Sequence, residues 1–308
     1  MGKVVNGKIL HVVRLGKDYV DEKYVSGDYN SLDNVILVMW ENSDNDNHTF
    51  IEGAFIDPDT LLTVNYIHVR DNGLYQYYPV VVSCMGLFYV FYINSIDEEH
   101  AMLQCIIMDP SSRTAINKIH IAEVSNDRKV YPRTISSNQG VLVIWLDTRY
   151  NNSLIASLVN QSGVLWIKVI DTKVTPYCYG VTYMPKKGYM LIYKKTNGYT
   201  KAAILGGNGE IITRYELVPD IAYKLSVFAL GGQILVYTGL NKVNIIALSR
   251  DNLLSVIGFR LIPYPSVVEV ALIYDGNSLE VVEPKPWSNN TLTIAKVDIT
   301  LQHTQYGS

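Results

Sequence analysis

Residues 79–122 read PVVVSCMGLFYVFYINSIDEEHAMLQCIIMDPSSRTAINKIHIA. Four apolar runs lie in this stretch, and they are separated by Gly86, by the acidic loop 97–99 and by the turn 109–111. The runs alternate with a period of two and are rich in β-branched and aromatic residues. This pattern predicts four consecutive strands, over 79–84, 87–92, 100–108 and 114–122.

The same order of runs returns along the chain at intervals of 44 to 53 residues. In the second to fifth copies a glycine precedes the second run, and in the first five copies an aromatic residue lies near the end of that run. A four-stranded repeat of this length is typical of a β-propeller blade. The closing aromatics are Trp40, Tyr92, Trp145, Tyr193 and Tyr237. The remaining predicted strands are 35–40, 49–56 and 62–69 with one strand before Asp33, then 132–136, 141–145, 154–159 and 164–170, then 178–183, 189–193, 201–205 and 211–217, and then 225–230, 233–237, 243–248 and 254–262.

The last copy contains only three predicted strands, over 267–273, 278–282 and 292–301. One further predicted strand, over 8–15, precedes the first blade without a partner. Pairing this strand with the last one would complete a sixth blade and remove an open sheet edge. We therefore predict an all-β, six-bladed β-propeller that forms one domain over residues 1–308, in which 8–15 closes the ring against the blade at about 265–302.

Three features recur in these copies: a first strand led by proline, a glycine before the second strand, and an Asp, Asn or Gly turn before the fourth. Together they resemble the broad sialidase-like group of propeller repeats, over about residues 8–302. The resemblance implies the fold and no particular family, since an S-x-D-x-G-x-T-W box and WD40 dipeptides are missing. A Kelch-like glycine doublet occurs at 231–232.

Composition narrows the function classes. Apolar residues make up 48% of the 308 residues, charged residues make up 18%, and the net charge is −3. This balance supplies a core but no strongly basic face, so we expect no nucleic-acid partner. We find no signal-peptide core and no apolar run long enough for a membrane span, which predicts a cytoplasmic or virion-associated protein. Cys84, Cys105 and Cys178 lie in strand sequence and are expected to be buried thiols without a disulfide.

Ligands of propellers commonly bind on one face of the ring. This face is formed by the loops between second and third strands and by the connections from each fourth strand to the next blade. The expectation rests on the fold alone. The candidates for binding on this face are Asp44, Asp46, His48, Asp97, Glu98, His100, Arg149, Tyr150 and Trp287.

The acidic candidates lie on loops of adjacent blades and are also candidate metal ligands. Asp44, Asp46, Asp97 and Glu98 are the residue types that hold Ca²⁺. No D-x-D-x-D-G spacing accompanies them, and exposed loops are polar in any soluble protein. We therefore expect no cofactor, with Ca²⁺ as the ion that a site here would take.

Histidine and tyrosine each recur in register. His11, His68 and His120 fall in the predicted fourth strands of three blades, too far apart to share one ion. They indicate either a remnant of the repeat on the solvent face or a stripe that faces a partner. The sequence has 23 tyrosines, and one recurs per blade at the junction into the first strand, which favours a structural role. These tyrosines are Tyr77, Tyr131, Tyr177, Tyr223 and Tyr264.

A glycosidase would need two carboxylates about 5 to 10 Å apart at the centre of the ring. The predicted first strands of blades two to five contain no acids, which leaves Glu269 in blade six and Asp28 or Asp33 in blade one. Arg133 and Arg149 are the nearby candidates for binding a sugar carboxylate. We therefore predict a non-catalytic binding or assembly module for a protein or glycan partner, in a viral or cell-surface structure. The alternative is a glycosidase, sialidase-like or lectin-like propeller.

Overall fold

A computed structural model describes most of the chain. The described residues are 2–5, 8–12, 23–43, 48–69, 73, 75–127, 130–217, 225–230, 233–239, 242–249, 256–263, 271–274, 279–284 and 292–297, with side chains described within 24–216 and at Val227. This part of the chain is all-β except for a 3-10 turn at Thr148–Tyr150. None of it forms a helix long and apolar enough for a membrane crossing.

Twenty-five strands of the described residues form antiparallel sheets in chain order. A two-stranded sheet contains β1 (Gly2–Val5) and β2 (Lys8–Val12). Five four-stranded sheets follow, here called blades 1 to 5, and then a sheet of three strands. Blade 1 contains β3 (Lys23–Asn30), β4 (Val35–Ser43), β5 (Thr49–Ile56) and β6 (Thr63–Val69). Blade 2 contains β7 (Tyr75–Cys84), β8 (Leu87–Ser95), β9 (His100–Asp109) and β10 (Thr114–Ser125).

The later sheets repeat this arrangement. Blade 3 contains β11 (Arg133–Ser137), β12 (Gly140–Asp147), β13 (Ser153–Asn160) and β14 (Gly163–Asp171). Blade 4 contains β15 (Val174–Met184), β16 (Gly188–Lys195), β17 (Thr200–Leu205) and β18 (Ile211–Leu217). Blade 5 contains β19 (Leu225–Leu230), β20 (Gln233–Gly239), β21 (Lys242–Ser249) and β22 (Val256–Pro263). The three-stranded sheet contains β23 (Ala271–Tyr274), β24 (Leu279–Pro284) and β25 (Leu292–Val297).

The strand predictions are confirmed in all five blades and in the three-stranded sheet, with shifts of a few residues at the ends. The strand expected before Asp33 is β3. Each blade pairs its strands in sequence order, so that the first and fourth strands form its two edges. Cys84, Cys105 and Cys178 are buried free thiols, as predicted.

The N-terminal strand differs from its prediction. Among the described residues β2 pairs with β1, with Val5 opposite Lys8, and not with β25. The two residues between these strands are Asn6 and Gly7, the dipeptide that most favours a two-residue hairpin turn. A local hairpin also closes a far shorter loop than pairing with the end of the chain. The described residues therefore contain neither the predicted closing pair nor a complete ring.

The hydrophobic core lies between the blades. Successive side chains of a strand point to opposite sheet faces, so a strand with a blade on each side is apolar throughout. In β8, Phe88 and Val90 pack with residues of blade 1 such as Leu37, whereas Phe91 packs with residues of blade 3 such as Trp145. The closing aromatics keep one register: Tyr92 packs against blade 1, Trp145 against blade 2 and Tyr193 against blade 3.

The first strands of consecutive blades lie side by side, from β3 through β7, β11 and β15 to β19. Side chains connect the first two of them. Ser26 Oγ accepts a hydrogen bond from the Val81 backbone N–H at 3.0 Å, and Asp28 Oδ2 accepts one from Ser83 N–H at 2.7 Å. These N–H groups lie on the free edge of β7, so blade 1 satisfies donors that the sheet leaves unpaired. The first strands are thus the inner elements of the fold.

Candidate functional site

A row of tyrosines lies where the first strands begin. Each of blades 1 to 4 contributes one tyrosine near the beginning of its first strand: Tyr24 is the second residue of β3, Tyr78 the fourth of β7 and Tyr177 the fourth of β15, whereas Tyr131 lies two residues before β11. We call these four residues the tyrosine cluster. The ring centroids of Tyr24 and Tyr78 are 4.5 Å apart, those of Tyr78 and Tyr131 are 5.0 Å apart, and those of Tyr131 and Tyr177 are 6.4 Å apart. Tyr24 and Tyr131 come within 6.3 Å although blade 2 lies between their blades, so the strand starts converge on a common centre.

Three of these tyrosines have a left-handed backbone. The φ angles are 51° at Tyr24, 58° at Tyr78 and 61° at Tyr177, and each residue lies at an irregularity in the pairing of its first and second strands. A bulky residue in this conformation costs about 1–3 kcal/mol, and such strain is commonly stored at functional sites. Tyr131 differs because it precedes Pro132, which favours an extended backbone.

Neighbouring side chains hold the cluster in place. Tyr179 is almost fully buried, and its hydroxyl donates to the Tyr131 carbonyl oxygen at 2.5 Å. Burial raises the pKa of Tyr179 above the ordinary tyrosine value, which favours the protonated hydroxyl that donates this hydrogen bond. Tyr78 is 2% exposed, whereas Tyr24, Tyr131 and Tyr177 are half-buried. The cluster therefore combines one packed ring with three rings that a ligand can reach.

Of the first-strand side chains that are described, those of Arg133 and Asp28 are charged. The Arg133 guanidinium carbon lies 4.6 Å from the centroid of the Tyr131 ring, within the range of a cation–π contact. Asp28 is the one carboxylate among the described first-strand side chains of blades 1 to 4, and it accepts the hydrogen bond from Ser83. The pair of carboxylates that glycoside hydrolysis needs is therefore missing from the inner strands that are described.

The predicted loop residues lie at the same end of the blades as the tyrosine cluster, because strand pairing puts the start of each first and third strand beside the end of the second and fourth. Exposed His48 has its ring 5.9 Å from that of Tyr75. Tyr150 is 62% exposed, and Arg149 lies 5.3 Å from its ring. Asp44, Asp46 and Trp287 lie outside the described residues.

The acidic loop of blade 2 uses its carboxylate locally. Asp97 Oδ1 accepts hydrogen bonds from the backbone N–H groups of Glu99 and His100 at 2.8 and 2.7 Å, and His100 Nδ1 lies 2.9 Å away. These hydrogen bonds lower the pKa of Asp97. Glu98 is exposed beside it. Within the described ranges no three His, Cys, Asp or Glu side chains are placed to hold a metal ion, and the Ca²⁺ hypothesis, which also involves Asp44 and Asp46, stays a prediction.

Two of the three histidines predicted to share a register, His68 and His120, lie on the outer strands of their blades. His68 Nδ1 on β6 is 2.8 Å from Glu52 Oε1, and His120 Nδ1 on β10 is 3.2 Å from Gln104 Nε2. Each of these partners lies opposite its histidine on the third strand of the same blade. The two side chains thus serve equivalent contacts within their blades. His11 lies on β2, and its side chain is outside the described part of the chain.

A charged contact between blades 3 and 4 was not predicted. Lys195 Nζ donates to Asp171 Oδ1 at 2.5 Å and also to the Thr172 carbonyl oxygen, and Tyr193 OH donates to Asp171 Oδ2 at 3.0 Å. Burial alone would raise the pKa of Asp171, but the hydrogen bonds from Lys195, Thr172 N–H and Tyr193 outweigh burial and lower it. Asp171 is therefore an anion that ties two blades together.

Because Asp171 and Lys195 form this contact, we expect the stability of the protein to depend on pH. Asp171→Asn is expected to lower the free energy of unfolding by about 1–3 kcal/mol at neutral pH, because a charged hydrogen-bond acceptor is lost. The folded-state pKa is lowered, so the stabilisation is present above the unfolded value of about 3.9 and is lost as the pH falls through the folded value. Urea unfolding near pH 7 and pH 3 measures the difference between the two proteins.

Glu98→Gln is the control, because Glu98 is exposed and the change removes the same charge. It should alter the free energy of unfolding by no more than about 0.5 kcal/mol. An Asp171→Asn effect that is equally large in acid would contradict the assignment.

The sequence pattern placed the candidate residues on this loop face and did not single out the tyrosine cluster. It selected Tyr77 as the recurring tyrosine of blade 2, whereas the cluster contains Tyr78. It omitted Tyr24, although Tyr24 is the second residue of the first strand β3. The Tyr77 hydroxyl instead donates to Asn126 Oδ1 at 2.7 Å. The sequence signal that could have identified Tyr78 is the Tyr-Pro dipeptide at 78–79, which is repeated at 131–132 and 264–265.

No protein-family model matches the sequence, and no curated protein matches it. Several solved structures share the fold, and they are β-propellers. The GH93 α-L-arabinofuranosidase of Fusarium graminearum, solved with arabinobiose, aligns with a TM-score of 0.61 at 14% identity, covering 90% of this chain and 93% of that one. The α-L-arabinanase of Penicillium chrysogenum, also with arabinobiose, gives 0.61 at 15%, covering 90% and 93%.

A lectin shows the same architecture. A mutant of the Aleuria aurantia lectin, solved in complex with Fucα1-6GlcNAc, aligns with a TM-score of 0.55 at 12% identity, covering 90% of this chain and 96% of that one. At these identities the likeness establishes a shared fold and carries no residue of either site over to this chain.

Proposed function

We propose that this chain is a carbohydrate-binding propeller of the lectin type, with the tyrosine cluster as the floor of its binding site. The observation that carries the proposal is the convergence of four tyrosines from four blades on one centre, three of them with strained backbones. Tyrosine offers a flat apolar face for a sugar ring and a hydroxyl for its polar groups, and it loses little conformational entropy. The complete molecule in this proposal is a closed six-bladed ring.

Structural neighbours support a glycan in preference to the protein partner that the sequence favoured, since they include two enzymes solved with arabinobiose and a lectin solved with a fucoside. Binding without hydrolysis is favoured because Asp28, the inner carboxylate that is described, already accepts a backbone hydrogen bond. A protein-assembly role would use the same loop face, and it becomes the better hypothesis if no glycan binds.

The test begins with a glycan array probed with the purified full chain, followed by calorimetry with the best glycan. Tyr131→Ala is expected to weaken binding at least tenfold, because it removes a ring face at the centre of the site, and tenfold corresponds to about 1.4 kcal/mol. Tyr131→Phe keeps that face and is expected to bind within about threefold of the parent. Incubation with the bound glycan should release no new reducing ends.

Tyr66→Ala is the matched control, because Tyr66 is 56% exposed on the outer strand β6. It should bind like the parent protein. A thermal melt of each variant separates loss of binding from loss of folding. The proposal is wrong if no glycan binds above background, or if Tyr131→Ala is folded and binds as well as the parent.

A further inference from the structure

Two basic side chains on the loop face have acidic partners. Arg149 Nη2 lies 2.9 Å from Asp147 Oδ2, and Lys195 Nζ lies 2.5 Å from Asp171 Oδ1. Charge pairing of this kind compensates the desolvation of partly buried ions. The rim of the loop face is therefore neutralised at both positions, and a cation nearer the centre, which no described carboxylate pairs with, differs from them.

Arg133 is that cation. It is half-buried at the start of β11, and it is the one Lys or Arg among the described side chains of the first strands in blades 1 to 4. No carboxylate of the described residues lies within ion-pair distance of its guanidinium. Its contact is the face of the Tyr131 ring, at 4.6 Å. A half-buried guanidinium, whose N–H groups can donate up to five hydrogen bonds, thus lies beside the tyrosine cluster with no described carboxylate paired to it.

An aromatic ring orients such a group without neutralising it. Stacking on Tyr131 restricts the plane of the guanidinium and leaves its N–H edge free for an acceptor. A carboxylate matches that edge with two parallel hydrogen bonds, whereas a neutral hydroxyl satisfies at most part of it. The positive charge, which no described carboxylate pairs with, and the planar donor edge both favour an anionic acceptor.

We propose that Arg133 binds the carboxylate of an acidic sugar, so that the ligand class of the tyrosine cluster is a glycan carrying uronic or sialic acid. The inference rests on the proposed glycan-binding function and adds that the bound glycan carries a negative charge. It separates this chain from its structural neighbours, which were solved with arabinobiose and a fucoside, both of them neutral sugars.

The experiment uses the full chain on an array that carries acidic glycans beside the same glycans with the carboxylate converted to an amide. The acidic form of the best pair is expected to bind at least tenfold more tightly in calorimetry, and the preference should fall as salt is raised. Arg133→Gln should bring the two forms to within about twofold of one another. Arg133→Lys keeps the charge without the planar edge and should retain part of the preference.

Lys168→Gln is the control, since it removes one positive charge from an exposed position on the outer strand β14. It should leave the preference unchanged. If the parent binds amidated and acidic forms equally, or if folded Arg133→Gln and Arg133→Lys keep the full preference, the inference is overturned while the glycan-binding function stands. If neither form of any glycan binds, the proposed function fails and the inference fails with it.

Discussion

Gly188→Ala is expected to lower the free energy of unfolding by roughly 3–5 kcal/mol, from backbone strain and steric overlap together. Gly188 begins the second strand of blade 4 with a φ of 103°, which residues with a Cβ rarely adopt. A Cβ built there would lie 2.1 Å from the Leu205 carbonyl oxygen on the neighbouring strand β17. Backbone cannot move aside without opening the sheet, so the change should destabilise the whole blade.

Chemical denaturation followed by circular dichroism measures this effect. Gly198→Ala is a control in the same blade, because Gly198 has a φ of 92° but no atom within 4 Å of a built Cβ. It should lose only the strain component, about 1–2 kcal/mol. Equal unfolding midpoints for the two variants would show that the close approach to Leu205 is not what requires glycine.

Trp145→Ala is expected to destabilise the protein by about 3–5 kcal/mol, since the indole is fully buried and its removal leaves a cavity between two blades. Trp145 packs into the core shared by blades 2 and 3, among residues such as Phe91 and Ile155. Because each blade packs only on its neighbours, the loss of packing at this interface destabilises both blade 2 and blade 3.

Calorimetric melting compares the variant with Leu165→Ala, whose side chain is 50% exposed on the outer strand of the same blade. The control should change the free energy of unfolding by no more than about 0.5 kcal/mol. A Trp145→Ala protein that melts with the control would mean that this core does not hold the blades together.

The blade strands were predictable because each is long, apolar and alternating, and because glycine and turn residues separate them. Buried strands with a blade on each side leave a strong signal, as in the run from Leu87 to Tyr92. The N-terminal hairpin escaped prediction because β1 and β2 are short, and its signal is one dipeptide, Asn6-Gly7. Nothing in the strand pattern distinguishes a local partner from a distant one.

The candidate site was predictable only in outline. The sequence pattern named Tyr77 as the recurring tyrosine of blade 2, whereas Tyr78 lies in the tyrosine cluster, because the strand irregularity there changes which side chain faces the cluster. Asp171 and Lys195 belong to different blades, so their contact depends on how neighbouring sheets pack, which local sequence does not encode. Arg133 was identified, but its lack of an acidic partner among the described residues is a property of the three-dimensional arrangement.

At the tyrosines with a left-handed backbone, a gain in thermal stability and the proposed ligand binding make opposite demands on the sequence. Glycine and asparagine adopt that backbone more readily than tyrosine, so at the half-buried positions Tyr24 and Tyr177 a substitution that relieves strain also removes a ring from the cluster. A library selected for melting temperature alone would favour substitutions at these two positions and would remove part of the proposed binding surface. Stabilised versions of this protein are better sought on the outer strands, where exposed apolar residues such as Ile167 and Val169 are remote from the cluster.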